Sequence, residues 1–224
     1  LQKSYISEPI ETIYFGGGTP SLLNELQLKV IMDTIYSNFD VAANIECTLE
    51  ANPDDMQPNQ LAAWKQVGIN RLSIGIQSFQ TEALTWMNRA HTVAQSHAAI
   101  QMALDAGIHN LSIDLIYGTP SLSDQALMAD LDWIEHYQIK HVSCYALTVE
   151  DKTALKKSIE KGQIENVDSE KQARHFEIVC TRLKAMGLEH YEISNFAKPG
   201  FRSQHNSNYW SGKTYLGLGP SAHS

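Results

Sequence analysis

The chain has 224 residues, 43% of them hydrophobic, and a formal charge of -8 at pH 7. That length suits one large domain or two small ones with a sizeable core, and the negative charge excludes a non-specific nucleic-acid surface. Cys47, Cys144 and Cys180 are odd in number and widely spaced, which argues against a disulfide framework and for a reducing compartment. No apolar run reaches transmembrane length and the first residues show no signal-peptide pattern, so the expected location is the cytoplasm.

A β-type run near 12–16 opens into Tyr14-Phe15-Gly16-Gly17-Gly18-Thr19-Pro20. Three glycines at a strand end leave bare backbone that can turn sharply and touch a small ligand. The loop is not a Walker-type phosphate loop, because no Lys follows. A helix near 24–38 comes next, capped by Asn24. Strands are expected near 44–50, 71–77, 110–117 and 141–147. Helices are expected near 59–67, 93–106 and 124–137, with Asn59, Thr92 and Ser123 as caps, and near 169–186. The polar stretch 150–168 reads as a short helix and a surface loop. Gly68, Gly107 and Gly187 each follow a helix and suit the left-handed residue that ends one. Alternating strands and helices of this size predict a parallel sheet with right-handed crossovers.

The parity of the strands sharpens this reading. Leu72, Ile74 and Ile76 share one face while Ser73, Gly75 and Gln77 share the other. Ile45, Cys47 and Leu49 oppose Glu46, Thr48 and Glu50; Leu111, Ile113 and Leu115 oppose Ser112 and Asp114. A parallel sheet covered by helices on both sides should be apolar on both faces. One polar face instead predicts a barrel or partial barrel whose lumen is polar. Sites in barrels gather at the C-terminal strand ends, and Gly16–Gly18, Glu50, Gln77 and Asp114 all fall at or near such ends.

The stretches Phe15-GGGTP-Ser21, Leu49-EANP-Asp54, Gly68-INRLSIGIQSF-Gln80, Met87-NRAHT-Val93, Ser112-IDLIYGTP-Ser121 and Tyr191-EISNFAKPGF-Arg202 together resemble the radical S-adenosylmethionine branch that holds oxygen-independent coproporphyrinogen III oxidase and the related haem chaperones. His205-Asn-Ser-Asn-Tyr-Trp210 is similar to the HNxxYW motif of the chaperone subgroup. The resemblance implies an α/β fold, a partial (β/α)6 barrel, with residues 1–200 as its core and 201–224 as the start of a C-terminal region. It also implies that the family's CxxxCxxC loop and the strand before it are missing. Leu1 is not an initiator Met and the sequence stops inside a Gly-rich turn, so a fragment is expected.

The resemblance implies roles residue by residue. Gly17, Gly18 and Thr19 would hold the methionine end of S-adenosylmethionine, with Glu50 as a nearby carboxylate. Gln77, Arg89 and Asp114 would bind the cofactor from neighbouring elements, and Ala146 would contact its adenine or ribose side. Read from the residues alone, Glu50 could shape a loop, Gln77 and Asp114 could be a lumen network, and Arg89 could be a surface ion pair. His205 would ligate haem iron, with Tyr209 and Trp210 stacking on the porphyrin; His223 is a second imidazole near the end. A structural turn at 205–210 is the alternative. The implied parent binds a [4Fe-4S] cluster, S-adenosylmethionine and haem, and hands haem to an acceptor protein, at a membrane or elsewhere. The runner-up is a coproporphyrinogen III oxidase. The three cysteines lie on separate elements and read as small buried hydrophobes rather than cluster ligands.

Overall fold

The computed structural model describes residues 8–151, 153–220 and 222–224; Leu1 and the rest of the first seven residues lie outside them. Five parallel strands alternate with helices in the order β1 (Ile10–Phe15), α1 (Glu25–Asn38), β2 (Val41–Ala51), α2 (Pro58–Gln66), β3 (Arg71–Gln77), α3 (Thr81–Trp86), α4 (Val93–Asp105), β4 (Leu111–Tyr117), α5 (Asp124–His136) and β5 (His141–Ala146). There follow α6 (Ala154–Glu160), α7 (Ser169–Ala185), β6 (Glu189–His190), β7 (Asn195–Ala197) and α8 (Gln204–Trp210). The sheet order is β1-β2-β3-β4-β5-β7-β6. All pairings from β1 to β5 are parallel, and β7 runs antiparallel to both β5 and β6.

The expected α/β partial barrel is the fold found. The antiparallel hairpin at its far edge departs from an all-parallel sheet. With two and three residues, β6 and β7 are too short to show a period, and only their pairing with β5 defines them. The short helices α3 and α8 also carry no readable apolar stripe. Asn24, Thr92 and Ser123 cap their helices as expected, each accepting a backbone N–H. Asn59 does not: Pro58 occupies the first helical position and Gln57 is the cap residue, because proline's fixed φ suits that place. Gly68, Gly107 and Gly187 have φ of +100°, +75° and +80°, the left-handed helix exits.

The core lies between the outer face of the sheet and the helices. Leu49, Leu72, Ile74, Ile113 and Val142 face Trp64, Ile100, Leu131 and Leu183 there, all essentially inaccessible. The inner face is polar, and several of its groups are paired strand to strand. The Ser112 hydroxyl is 2.7 Å from His141 Nδ1 and 3.3 Å from the Ser143 hydroxyl, and His141 Nε2 is 2.8 Å from the Tyr191 hydroxyl. Burial keeps His141 well below the usual imidazole range, so it is a neutral bridge. Glu46 closes the floor, accepting from the Ser203 hydroxyl and from the backbone N–H groups of Gln204 and His205 at 3.4, 3.1 and 3.1 Å. The first turn of α8 is thereby fixed beneath β1 and β2.

Asp130 on α5 fixes the turn after β3. It accepts from the Ser78 hydroxyl at 2.6 Å, the Phe79 N–H at 3.0 Å and the Gln80 side-chain amide at 2.8 Å. The turn follows Gln77, whose φ of +66° is left-handed and strained for a residue with a side chain. Burial pushes the Asp130 carboxyl up to about 6. An acid raised in the folded state binds its proton more tightly there, so its stabilising contribution is full below the unfolded value near 4 and is lost as pH rises through 6. Urea unfolding of the wild type and of Asp130→Asn should therefore show their stability difference falling, by up to about 3 kcal/mol, from pH 4 to pH 7. A difference that stays flat would place the Asp130 carboxyl in an ordinary environment.

Candidate functional site

The C-terminal ends of β1 to β5 form a mouth. At β1 the chain leaves the sheet through Gly16, Gly17 and Gly18, all exposed. Gly17 has a φ of +88°, and a side-chain carbon added at Gly17 or Gly18 would meet open space. Gly16 differs: a Cβ there would lie 2.6 Å from the Tyr14 ring and 2.9 Å from Glu50 Oε1. Glu50, at the end of β2, accepts from the Tyr14 hydroxyl at 2.7 Å and from the Gly17 N–H at 3.1 Å. It thus shapes the loop and also presents a carboxylate to the mouth. Thr19 is exposed, and its carbonyl accepts from the Leu22 N–H in the single 3-10 turn that follows.

Asp114 on β4 faces inward beside Ser73, whose hydroxyl lies 3.1 Å from Oδ1. Burial pushes the Asp114 carboxyl up to about 6, while hydrogen bonds from Ser143 and Ser73 act the other way. Gln77 and Arg89 reach into the space that Gly75 leaves, since a Cβ at Gly75 would lie 3.0 Å from the Gln77 amide nitrogen and 3.5 Å from an Arg89 guanidinium nitrogen. Arg89 is in no salt bridge among the described residues. Its Nη2 donates to Asn52 Oδ1 at 3.0 Å, and its buried Nε has no partner among the described residues. Asn52 donates in turn to Asp55 at 3.3 Å, and Asp55 accepts from the Ser21 hydroxyl at 2.7 Å. This chain of bonds ties the loops after β1, β2 and α3 together. Ala146 ends β5, exposed at the mouth beside Tyr117 in register.

Gly17, Gly18, Glu50, Gln77, Arg89 and Asp114 are thus brought together. His205, Tyr209 and Trp210 are not among them: they sit on α8 at the floor. His205 Nδ1 lies 2.9 Å from the Thr12 hydroxyl and Nε2 lies 3.2 Å from the Tyr209 hydroxyl. Burial lowers the His205 imidazole below its usual value, so it is neutral near pH 7. Tyr209 and Trp210 are 49% and 62% exposed, and His223 is exposed on the final loop. The sequence reading missed Tyr14, Asn52, Asp55 and Ser21, which position the mouth, and Tyr145. Parity alone could have found Tyr145, which alternates with Cys144 and Ala146. The cleft between α2 and α4, lined by Pro58, Ala62, Lys65, Met102, Asp105 and Ala106, is on the outer wall, and its Lys65 is engaged with the Ala106 carbonyl. It gathers none of these groups.

A parallel barrel-type sheet with a glycine loop and carboxylates at its C-terminal mouth defines a small-ligand-binding α/β protein. Residues 1–134 match the family model of the Radical SAM superfamily, and the chain belongs to that superfamily. It is 38% identical over 214 residues to the heme chaperone HemW of Mycobacterium tuberculosis, which covers 96% of this chain and 55% of that protein. It is 38% identical over 215 residues to HemW of Bacillus subtilis, with 96% and 57% covered. The chain thus spans about half the length of the curated relatives it matches. Among solved structures, the coproporphyrinogen III oxidase HemN of Escherichia coli, described as a radical SAM enzyme, superposes with a TM-score of 0.78 at 22% identity over 95% of this chain and 51% of that one. That likeness shows the fold. Among the described residues no helix is long and apolar enough to cross a membrane.

The superfamily's cofactors are S-adenosylmethionine and a [4Fe-4S] cluster. The mouth fits the first: open glycine backbone, an aimed carboxylate and an orphaned guanidinium nitrogen are the donors and acceptors an amino-acid-bearing ligand needs. The described residues do not fit the second. Cys47 and Cys144 are buried in the core and Cys180 is half-buried on α7. Burial pushes the Cys47 thiol up to about 12 and raises the other two, which disfavours the thiolates a cluster needs. No three His, Cys, Asp or Glu side chains among the described residues converge to hold a metal ion. Because Gly16 has no room for a methyl group, Gly16→Ala should displace the Glu50 carboxylate. We expect S-adenosylmethionine affinity to fall at least about tenfold with near-native circular dichroism; wild-type affinity would refute the tight packing.

Proposed function

We propose that this chain is the barrel part of a heme chaperone of the radical SAM type, which binds S-adenosylmethionine and haem and passes haem to an acceptor protein in the cytoplasm. The observation that carries the reading is the convergence of Gly17, Gly18, Glu50, Gln77, Arg89 and Asp114 at one mouth, in a chain 38% identical to heme chaperones over nearly its whole length. S-adenosylmethionine, when bound, supplies a sulfonium and an amino-acid end. Gly17 and Gly18 would meet the amino-acid end with backbone, and Thr19 would flank it. Glu50 would accept from the ammonium, because its two oxygens keep lone pairs beyond those given to Tyr14 and Gly17. Asp114 is ionised above about pH 6 and would accept from a ligand hydroxyl or ammonium. Gln77 and Arg89 would close the near wall, and the end of β5 at Ala146 the far one.

Haem is cargo in this reading. His205 would offer a neutral imidazole to its iron, and for Nε2 to do so the Tyr209 hydroxyl must give way. Tyr209 and Trp210 expose aromatic surface at the same helix, and Tyr215 packs edge-on against Tyr209 at 4.7 Å, which suits a flat porphyrin. In this reading the barrel core takes residues 1–200 and the start of a C-terminal region takes 201–224.

The test uses the full-length protein loaded with its cluster. Calorimetry should show S-adenosylmethionine binding, lost in Gly17→Val through steric fill and left-handed strain. Asp114→Ala should weaken it by about 1–3 kcal/mol. Added hemin should give a Soret band that His205→Ala shifts or abolishes. A protein with no haem spectrum that consumes coproporphyrinogen III under anaerobic reduction would be an oxidase instead.

A further inference from the structure

Tyr14 touches both sets of candidate residues. Its hydroxyl donates to Glu50 Oε1 at 2.7 Å, and Glu50 Oε2 accepts from the Gly17 N–H. Its ring stacks on the His205 imidazole, with centroids 4.8 Å apart and planes inclined by 20°. The imidazole is itself pinned, by the Thr12 hydroxyl at Nδ1, by the Tyr209 hydroxyl at Nε2 and by Glu46 at its backbone N–H. A continuous path of direct contacts therefore runs from Tyr209 through His205, Tyr14 and Glu50 to Gly17. There is no slack in it at the mouth, where Gly16 leaves no room for a methyl group between the Tyr14 ring and Glu50.

We infer that Tyr14 is a positioning residue that couples the two sites: it aims Glu50 at the glycine loop, and its own placement is set by the ring of His205. The inference rests on the proposed reading that the mouth takes S-adenosylmethionine and that His205 takes haem iron. Burial and the Glu50 charge push the Tyr14 phenol above its ordinary range, so it remains a donor at working pH. The stack limits how the phenol can tilt, and the tilt decides whether the hydroxyl meets Oε1. Iron at Nε2 would have to replace the Tyr209 hydroxyl, removing one of the bonds that hold the imidazole under the Tyr14 ring. An imidazole so released would be free to tilt, and the phenol it walls would no longer hold Glu50 in one direction. Haem therefore lowers the affinity for S-adenosylmethionine, and by linkage S-adenosylmethionine lowers the affinity for haem by the same factor.

The experiment titrates S-adenosylmethionine into the full-length, cluster-loaded protein by calorimetry. Tyr14→Phe keeps the ring and removes the hydroxyl; His205→Ala removes the stack. Each should weaken binding roughly two- to tenfold. In the Tyr14→Phe background His205→Ala should add no further loss, because its effect passes through the missing hydroxyl. His205→Phe keeps a ring under Tyr14 but lacks both ring nitrogens, so it should recover part of the affinity lost in His205→Ala, which separates stacking from general loosening of the floor. One equivalent of hemin should weaken binding in the wild type and leave Tyr14→Phe unchanged. Losses that multiply in the double variant, or unchanged affinity in His205→Ala, overturn the coupling while leaving the cofactor site standing. A wild-type protein that does not bind S-adenosylmethionine sinks the site and the coupling together. A protein that binds it but gives no Soret band with hemin loses the haem reading alone, and the variant cycle still decides the role of Tyr14.

Discussion

The mouth of this barrel depends on one carboxylate held from two sides. Glu50 ends β2 between the hydroxyl of Tyr14 and the N–H of Gly17, so the strand and the loop that follows it are tied to the neighbouring strand. Two charge-assisted hydrogen bonds to one carboxylate are stronger than neutral ones. They also set the direction of the Gly16–Gly18 loop, which has no side chains of its own to pack. Remove that anchor and three glycines have no reason to keep one conformation, since glycine gives up more freedom on ordering than any other residue. Close packing of Tyr14 and Glu50 against Gly16 makes the arrangement specific.

The polar inner face sets the second constraint. A curled parallel sheet with serines, acids and a histidine turned inward must pair them or lose stability. Here they are paired in rows. Ser112, His141 and Tyr191 form one row, and Ser73 and Asp114 another; Glu46 takes three donors from the start of α8. The antiparallel hairpin matters because the turn between β6 and β7 carries Tyr191 to His141 and to the Ser203 N–H. The floor is thus closed by groups that satisfy one another. At the mouth the Arg89 Nε has no partner among the described residues and a Cβ at Gly17 or Gly18 would meet open space, which leaves room and bonding capacity there. Arg71 and Thr48 are exceptions at depth: both are buried, among the described residues neither the Arg71 Nε nor the Thr48 hydroxyl has a hydrogen-bond partner, and Arg71 is in no salt bridge there.

Much of this was legible in the sequence, for physical reasons. Strand and helix periods differ, so the five parallel strands and their long helices could be placed. Strand parity alone separates the core face from the lumen face. The Gly16–Gly18 loop and Glu50 stand out as candidates because bare backbone and an inward acid at strand ends have few other uses, whereas Asp114 lies midway along β4 and stands out only as an inward acid. What could not be read depended on tertiary contact. Asn59 looked like a cap, but the proline before it had already taken the helix start. The hairpin strands are too short to carry a period. Gln77 is left-handed only because a bulge shifts β3 against β4 and Asp130 pins the turn. Tyr14 read as one aromatic in a strand, yet it bridges Glu50 and His205 across 36 and 191 positions of sequence.

Every role proposed here for the mouth residues depends on S-adenosylmethionine binding at the Glu50-centred mouth. Its most direct test is a crystal structure of the full-length, cluster-loaded protein with S-adenosylmethionine bound. Ligand density is expected at the mouth, with the amino-acid end against Gly17, Gly18 and Thr19 and its nitrogen within hydrogen-bonding reach of the Glu50 carboxylate. Density elsewhere, with Glu50 still bonded to Tyr14 and Gly17 and to nothing new, would contradict it.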